Sequence, residues 1–208
     1  MRPIHAALSA LLLISASGVA LAQPGAPAAP AMSADPATVA AGTYSIDPNH
    51  SQVLFTYQHM GLTFNMGLLS GATGSLTIDP KSPNGAKLSV SVPINTLKST
   101  IAKLDEEFQS KMFFDAAQFP TATFESTSVA VSGKTAKIAG NLTIHGVTKP
   151  ATIDATFLAG GANPMSKKPT MAFNGTTTIK RSDFGLGLGV PMVADQVKLN
   201  ITVQFDMK

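Results

Sequence analysis

The sequence predicts an all-β fold, a sandwich or closed antiparallel barrel of about eight strands, with one short helical insertion. Two observations carry this. Apolar and polar residues alternate in short runs separated by Gly, Pro, Asn and Ser, and one stretch alone changes to helical spacing. The alternation is strictest near the C-terminus, where Val197, Leu199, Ile201, Val203 and Phe205 are interleaved with Lys198, Asn200, Thr202 and Gln204. A period of two sustained in this way marks a strand with one buried face. Strands with one wet face pair antiparallel, because strands covered on both sides read as continuous apolar runs.

Taken from the N-terminus, residues 1–22 read as a secretory signal peptide. Arg2 supplies the positive start, the apolar stretch 6–14 is too short to span a bilayer, and Ala20, Leu21 and Ala22 form a small-x-small cleavage site. Residues 23–41 are rich in Pro and Ala without periodicity and are expected to be a flexible tail without a fold. The folded domain is expected over 42–208. Cleavage would put the mature protein outside the cytoplasm, with no transmembrane segment.

Within the domain, Val53, Phe55, Tyr57 and His59 lie opposite Gln52, Thr56 and Gln58. Leu88, Val90, Val92 and Ile94 alternate with Ser89, Ser91 and Pro93, and Ile138, Leu142 and Ile144 alternate with Ala139, Asn141 and Thr143. Ala151, Ile153, Ala155 and Phe157 form another row, and Met171, Phe173 and Ile179 another. Closure of such strands into a barrel would remove exposed edges. The segment 96–115 places Leu97, Ile101, Leu104 and Phe108 three to four residues apart, which predicts one amphipathic helix or two short ones over a barrel mouth. The glycine-rich run at 185–189 is expected to be a flexible loop.

Composition narrows the function. With 44% hydrophobic and 13% charged residues the chain is a folding one, and 15 Lys and Arg against 12 Asp and Glu, without a basic cluster, leaves no nucleic-acid footprint. Absence of cysteine removes disulfides, thiolate nucleophiles and Cys-based metal sites. His50, His59 and His145 show no metal-ligand spacing, and no GxSxG or phosphate-binding glycine loop occurs. Asp105, Glu106 and Glu107 read as a solvated helix face. His59 continues an inward row and reads equally as a polar group in a cavity or a satisfied core histidine. Small residues on inward rows (Gly61, Gly67, Gly140, Ala151, Ala155 and Gly175) beside Phe55, Phe124, Phe157 and Phe173 fit either a tunnel or the bends of a filled barrel.

Five blocks in order resemble the YceI-like, polyisoprenoid-binding family: residues 44–79, 104–126 (LDEEFQSKMFFDAAQFPTATFES), 140–153 (GNLTIHGVTKPATI), 179–186 (IKRSDFGL) and 193–201 (VADQVKLNI). The resemblance implies a lipocalin-like eight-stranded antiparallel barrel with a helical segment near one end. It also implies a periplasmic, non-enzymatic protein holding a long isoprenoid lipid, such as a ubiquinone-like quinone or a polyprenyl phosphate, for transport, storage or stress response. Neither a catalytic cofactor nor a metal is implied. A tunnel of that kind would be lined by Val53, Phe55, Tyr57, His59, Leu69, Ile101, Phe108, Phe113, Phe114, Phe124, Leu142, Ile144, Phe173 and Phe184, with His59, Tyr57 or Asn65 orienting a headgroup. A very long ligand would favour a homodimer. Two features depart from the family's pattern: 104–108 reads Leu-Asp-Glu-Glu-Phe where Arg-Asp-x-His-Leu is frequent, and Asn65 stands at a commonly apolar position. An enzyme using His59 on a lipid or amide-like substrate in the same cavity is the alternative. A third reading is a solid barrel that binds a protein on its outer face.

Overall fold

The Val/Thr/Ser-rich alternating runs form eleven strands of one sheet, and the sheet closes on itself. A computed structural model describes residues 32–208. In chain order the strands and helix are β1 (Gly42–Ile46), β2 (Gln52–His59), β3 (Thr63–Leu69), β4 (Thr73–Ile78), β5 (Lys87–Pro93), β6 (Lys98–Ser99), α1 (Ala102–Gln109), β7 (Thr121–Ser132), β8 (Thr135–Ile144), β9 (Val147–Ala162), β10 (Pro169–Lys180) and β11 (Gln196–Met207). The ring runs β1-β4-β5-β7-β8-β9-β10-β11 and returns to β1 through Tyr44↔Met207 to Ile46↔Phe205. All pairings are antiparallel. Among the described residues the fold is therefore a closed eight-stranded barrel with one short helix, and the sandwich alternative falls away because the pairing of β1 with β11 closes the ring.

Three wall strands are built from two pieces each. β1 and β2 are separated by the turn at 47–51, β3 and β4 by 70–72, and β5 and β6 by a 3-10 turn over Ile94–Thr96. β2 pairs with β3 from Val53↔Leu69 to His59↔Thr63, while β1 pairs with β4 from Gly42↔Ile78 to Ser45↔Ser75. The two pairings make one long interrupted hairpin. Its upper half also joins β11 to β2, from Lys198↔Thr56 to Thr202↔Gln52. The upper end carries the β2–β3 tip, the helical segment and the 181–195 loop. The lower end carries the β4–β5, β7–β8 and β9–β10 turns and the N-terminal residues.

Several sequence expectations need correction here, and β7 departs from plain alternation. Residues 1–31, with the predicted signal peptide and most of the tail, lie outside the described residues. The remainder, 32–41, is seated on the barrel and does not trail freely: Ser33 and Gly160 exchange backbone hydrogen bonds at 2.8 and 2.9 Å, and Val39 packs on the lower core. Alternation is also broken in β7. Its register shifts between Ser126 and Ser128, so Ala122 and Phe124 share the interior with Val129 and Val131 despite opposite parity. In the helical segment, α1 covers eight residues only, and Leu97 is buried at the end of the preceding 3-10 turn. Asp105 there is not a free solvated carboxylate, since Ser99 donates its N–H to it at 2.6 Å and Lys98 lies 3.6 Å away. Finally, Gly61 belongs to the β2–β3 turn with φ +71, a left-handed conformation suited to glycine, not to an inward row.

The core has three parts. Tyr44, Ile46, Leu76, Phe157, Met171 and Phe205 close the lower half. Phe55, Leu97, Phe108 and Val197 pack under the helical segment, and Ile144, Phe184 and Leu186 pack under the upper loop. Tyr44 is almost fully buried and donates its hydroxyl to the Ala40 carbonyl at 2.7 Å; burial pushes its phenol pKa up.

Candidate ligand-binding site

In this barrel the inward rows, which mix Phe with Gly and Ala, leave the interior unfilled. The interior holds a continuous cavity of about 820 Å³ reaching from Pro36, Pro83 and Lys134 at the lower end to His59, Leu188 and Val193 at the upper. That volume lies in the range of small-ligand sites. Its interior is open, which the residues alone could not decide.

Twelve of the fourteen expected lining residues face this cavity. β2 contributes its whole inward row, Val53, Phe55, Tyr57 and His59, and β3 adds Leu69. The helical segment brings Phe108, Phe113 and Phe114 over the upper half. The opposite wall supplies Phe124 from β7, Leu142 and Ile144 from β8, and Phe173 from β10. The other two are elsewhere. Ile101 is 52% exposed because it occupies the N-cap of α1 with extended backbone, so its side chain leaves the apolar stripe. Phe184 is buried against Ile144 and Leu186, supporting the wall from behind.

Aromatic rings form two connected sets. In the upper set Phe55 stacks on Tyr57 with centroids 6.4 Å apart, and Phe108 meets Phe55, Phe113 and Phe114 edge-on at 6.0, 5.4 and 6.2 Å. In the lower set Phe173 meets Phe157 at 5.5 Å and Phe205 at 6.0 Å. Edge-to-face contacts of this kind fix ring positions beyond what burial alone does.

Polar side chains gather near the upper end. Tyr57 pairs directly with Asn65 across β2 and β3, and the Asn65 amide donates to the Tyr57 hydroxyl at 3.4 Å. Asn65 lines the cavity because β3 is inverted: Phe64, Met66 and Leu68 point to solvent, while Asn65, Gly67 and Leu69 point inward. His59 continues the row beyond Tyr57. The end of β2 is held by the backbone of 192–194, through Met60 N–H to Met192 O at 2.8 Å and Ala194 N–H to Gln58 O at 2.9 Å. His50 and His145 stand outside this set. His50, exposed in the 47–51 turn, pairs through Nδ1 with Asp47 at 2.6 Å, and His145 donates to the Phe184 carbonyl at 3.3 Å beside the ring of Phe119. Among the described residues no group of three or more His, Asp or Glu side chains could hold a metal ion.

The upper rim depends on one cation that sequence reasoning left without a role. Arg181 donates through Nε to Ala194 O at 2.9 Å and through its two terminal nitrogens to Leu186 O, Leu188 O at 2.8 Å and Val193 O at 2.8 Å. The 185–189 run is thus held in place, contrary to the expected flexible loop. Asp195 completes the corner by accepting from Ser182 N–H at 2.9 Å and its hydroxyl at 2.7 Å. The Ser182 N–H foremost, with its hydroxyl and the Arg181 charge, holds the Asp195 carboxyl below its usual value against partial desolvation. The Arg-Ser-Asp-Phe-Gly motif was visible in the sequence, but an arginine binding carbonyls leaves no charge partner to suggest the contact.

These features define a closed antiparallel β-barrel with an apolar tunnel and a polar cluster near one mouth. The YceI-like domain model matches residues 44–205, and the chain belongs to the YceI-like family. A UPF0312 protein of Pseudomonas paraeruginosa is 36% identical over 166 residues, 79% of this chain and 86% of that protein. Among solved structures, BcnA of Burkholderia cenocepacia superposes with a TM-score of 0.68 at 25% identity, over 76% of this chain and 98% of BcnA. A polyisoprenoid-binding domain from Saccharophagus degradans, at 14% identity, shares the fold with a TM-score of 0.63 over 79% of this chain and 98% of that domain.

Proposed function

We propose that this protein is an exported carrier that holds a long isoprenoid lipid, an isoprenoid quinone or a polyprenyl phosphate, in its barrel tunnel. The observation that carries this reading is the continuous 820 Å³ apolar cavity with Tyr57, His59 and Asn65 collected near its upper mouth. An isoprenoid tail supplies affinity along such a wall at about 0.8 kcal/mol per buried methylene, and a headgroup needs a few polar partners at one end only. The S. degradans domain, which is described as polyisoprenoid-binding, has the same fold. Export rests on the signal-like residues 1–22.

Native mass spectrometry of the purified protein, followed by solvent extraction, tests the reading. A co-purifying prenyl lipid is expected, or stoichiometric uptake of an added quinone. A barrel that arrives empty and takes up no quinone or polyprenyl phosphate overturns it. N-terminal sequencing of the protein from a periplasmic fraction tests export, and a mature start at residue 23 is expected.

A further inference from the structure

The outer side of the upper mouth is apolar. Met60, Leu62, Phe64 and Met66 on the β2–β3 hairpin, with Leu188 and Met192 on the facing loop, are large hydrophobic side chains left in solvent; Leu62 is 82% and Met192 64% exposed. The two segments are one rim, since Met60 N–H donates to Met192 O at 2.8 Å. Contiguous apolar surface of this kind is uncommon on a free-standing protein and marks a contact. Two facts say what kind. No charged residue occurs from Met60 to Ile78 or from Phe184 to Ala194. And Leu188 is both 52% exposed and part of the tunnel lining, so the apolar wall runs without interruption from the interior over the lip to the outside.

We propose that this rim docks onto a lipid bilayer, inserting Leu62, Met192 and their neighbours among the acyl chains so that a prenyl lipid passes between membrane and tunnel without crossing water. The inference rests on the lipid-carrier reading above. These two uncharged apolar segments suit hydrocarbon, whereas docking of this side of the mouth driven by anionic headgroups would place Lys and Arg on them; the charged residues of the upper end, such as Lys103, Glu106 and Lys111, stand on the helical segment instead. It also orients the molecule: the membrane meets the upper end, and the N-terminal residues around Ser33, paired with Gly160, lie at the opposite end.

The chain contains no tryptophan, so Leu62→Trp reports on the rim and Met165→Trp, at a 92% exposed position in the β9–β10 turn, reports on the far end. With phosphatidylcholine vesicles, Leu62→Trp fluorescence is expected to shift to the blue and Met165→Trp to stay unchanged. The shift should persist when phosphatidylglycerol is added and when salt is raised to about 1 M, where charges are screened within about 3 Å. The double variant Leu62→Asp/Met192→Asp should float with vesicles roughly tenfold less than the parent, yet take up quinone from detergent micelles as the parent does.

Three results overturn the proposal: no shift at Leu62→Trp, an equal shift at Met165→Trp, or a parent dimer that the double variant dissociates, which would assign the face to a second copy. Failure of the parent to take up quinone from micelles sinks the carrier reading instead, and that outcome is read independently of the vesicles.

Discussion

The ring of Phe55 lies against the backbone of Gly67, its direct partner across β2 and β3. A Cβ at position 67 would collide with Phe55 Cζ and stand 2.7 Å from the Lys98 carbonyl oxygen. Phe55 cannot yield freely, because Tyr57 stacks on it and Phe108 meets it edge-on. Gly67→Ala is therefore expected to destabilise the barrel by about 1–3 kcal/mol, read by chemical denaturation. Adding Phe55→Leu should recover part of that loss, giving a coupling of at least about 0.5 kcal/mol in a double-mutant cycle. Purely additive effects would show that the two residues do not constrain each other.

Arg181 is expected to be irreplaceable by lysine. Its planar fork reaches four carbonyls at once, and an ammonium on a flexible stem cannot reproduce that geometry. Arg181→Lys should cost about 2–3 kcal/mol of stability, allowing for water replacing some of the bonds. Hydrogen exchange should rise at the amides of 185–194 while the strands below keep their protection. Unchanged exchange in that loop would show that the arginine is not what holds it.

How much of this site the sequence discloses depends on whether its local pattern is unbroken. The β2 row from Val53 to His59 is regular, and all four members line the tunnel. β7 hides its Val129 and Val131 behind a bulge, because one extra residue flips parity and a period-two reading then cancels itself. β3 misleads in another way: its large apolar residues face water, so Asn65 is the inward one. Ile101 fails for a geometric reason, since helical spacing assigns it to the stripe while the helix begins one residue later. Whether the interior is open depends on ring packing such as Phe55 on Gly67, which is a relation between strands and leaves no trace in either one.

Stability should depend on pH through the Asp47–His50 pair. Partial burial pushes the Asp47 carboxyl up, but the hydrogen bond from His50, the Asn49 N–H and the His50 charge outweigh it and leave its pKa lowered. The hydrogen bond to Asp47, and then its charge, raise the pKa of His50 above 6.5. A lowered carboxylate contributes stability above its usual value of 3.8, lost as pH falls through the folded value; a raised imidazole contributes below 6.5, lost as pH rises through its folded value. The pair's contribution is thus complete between those two ordinary values and fades on either side. Tm measured across pH should fall on the alkaline side of 6.5 in the parent and less so in His50→Gln. Since His50 is exposed, the effect should shrink with added salt. Parallel pH profiles for parent and variant would remove the pair from the account.

The polar cluster at the upper mouth should discriminate headgroups and leave tail binding alone. Tyr57→Phe by itself orphans the Asn65 amide, whose hydrogen bond goes to the tyrosine hydroxyl, and would confuse loss of a ligand contact with an unsatisfied partner. The informative variant is Tyr57→Phe/Asn65→Leu, which removes both groups and keeps an apolar wall of similar size. One or two hydrogen bonds at about 0.5–1.5 kcal/mol each predict roughly a three- to tenfold or greater loss of affinity for a quinone or polyprenyl phosphate. An isoprenoid hydrocarbon without a headgroup should bind as well as before, because the apolar wall of Val53, Leu69, Leu142 and Phe173 is left unchanged. Titration of both ligands against parent and variant separates the cases. Equal losses for the two would mean that Tyr57 and Asn65 shape the tunnel and read no headgroup, and His59→Leu would then be the remaining test of whether this mouth reads one.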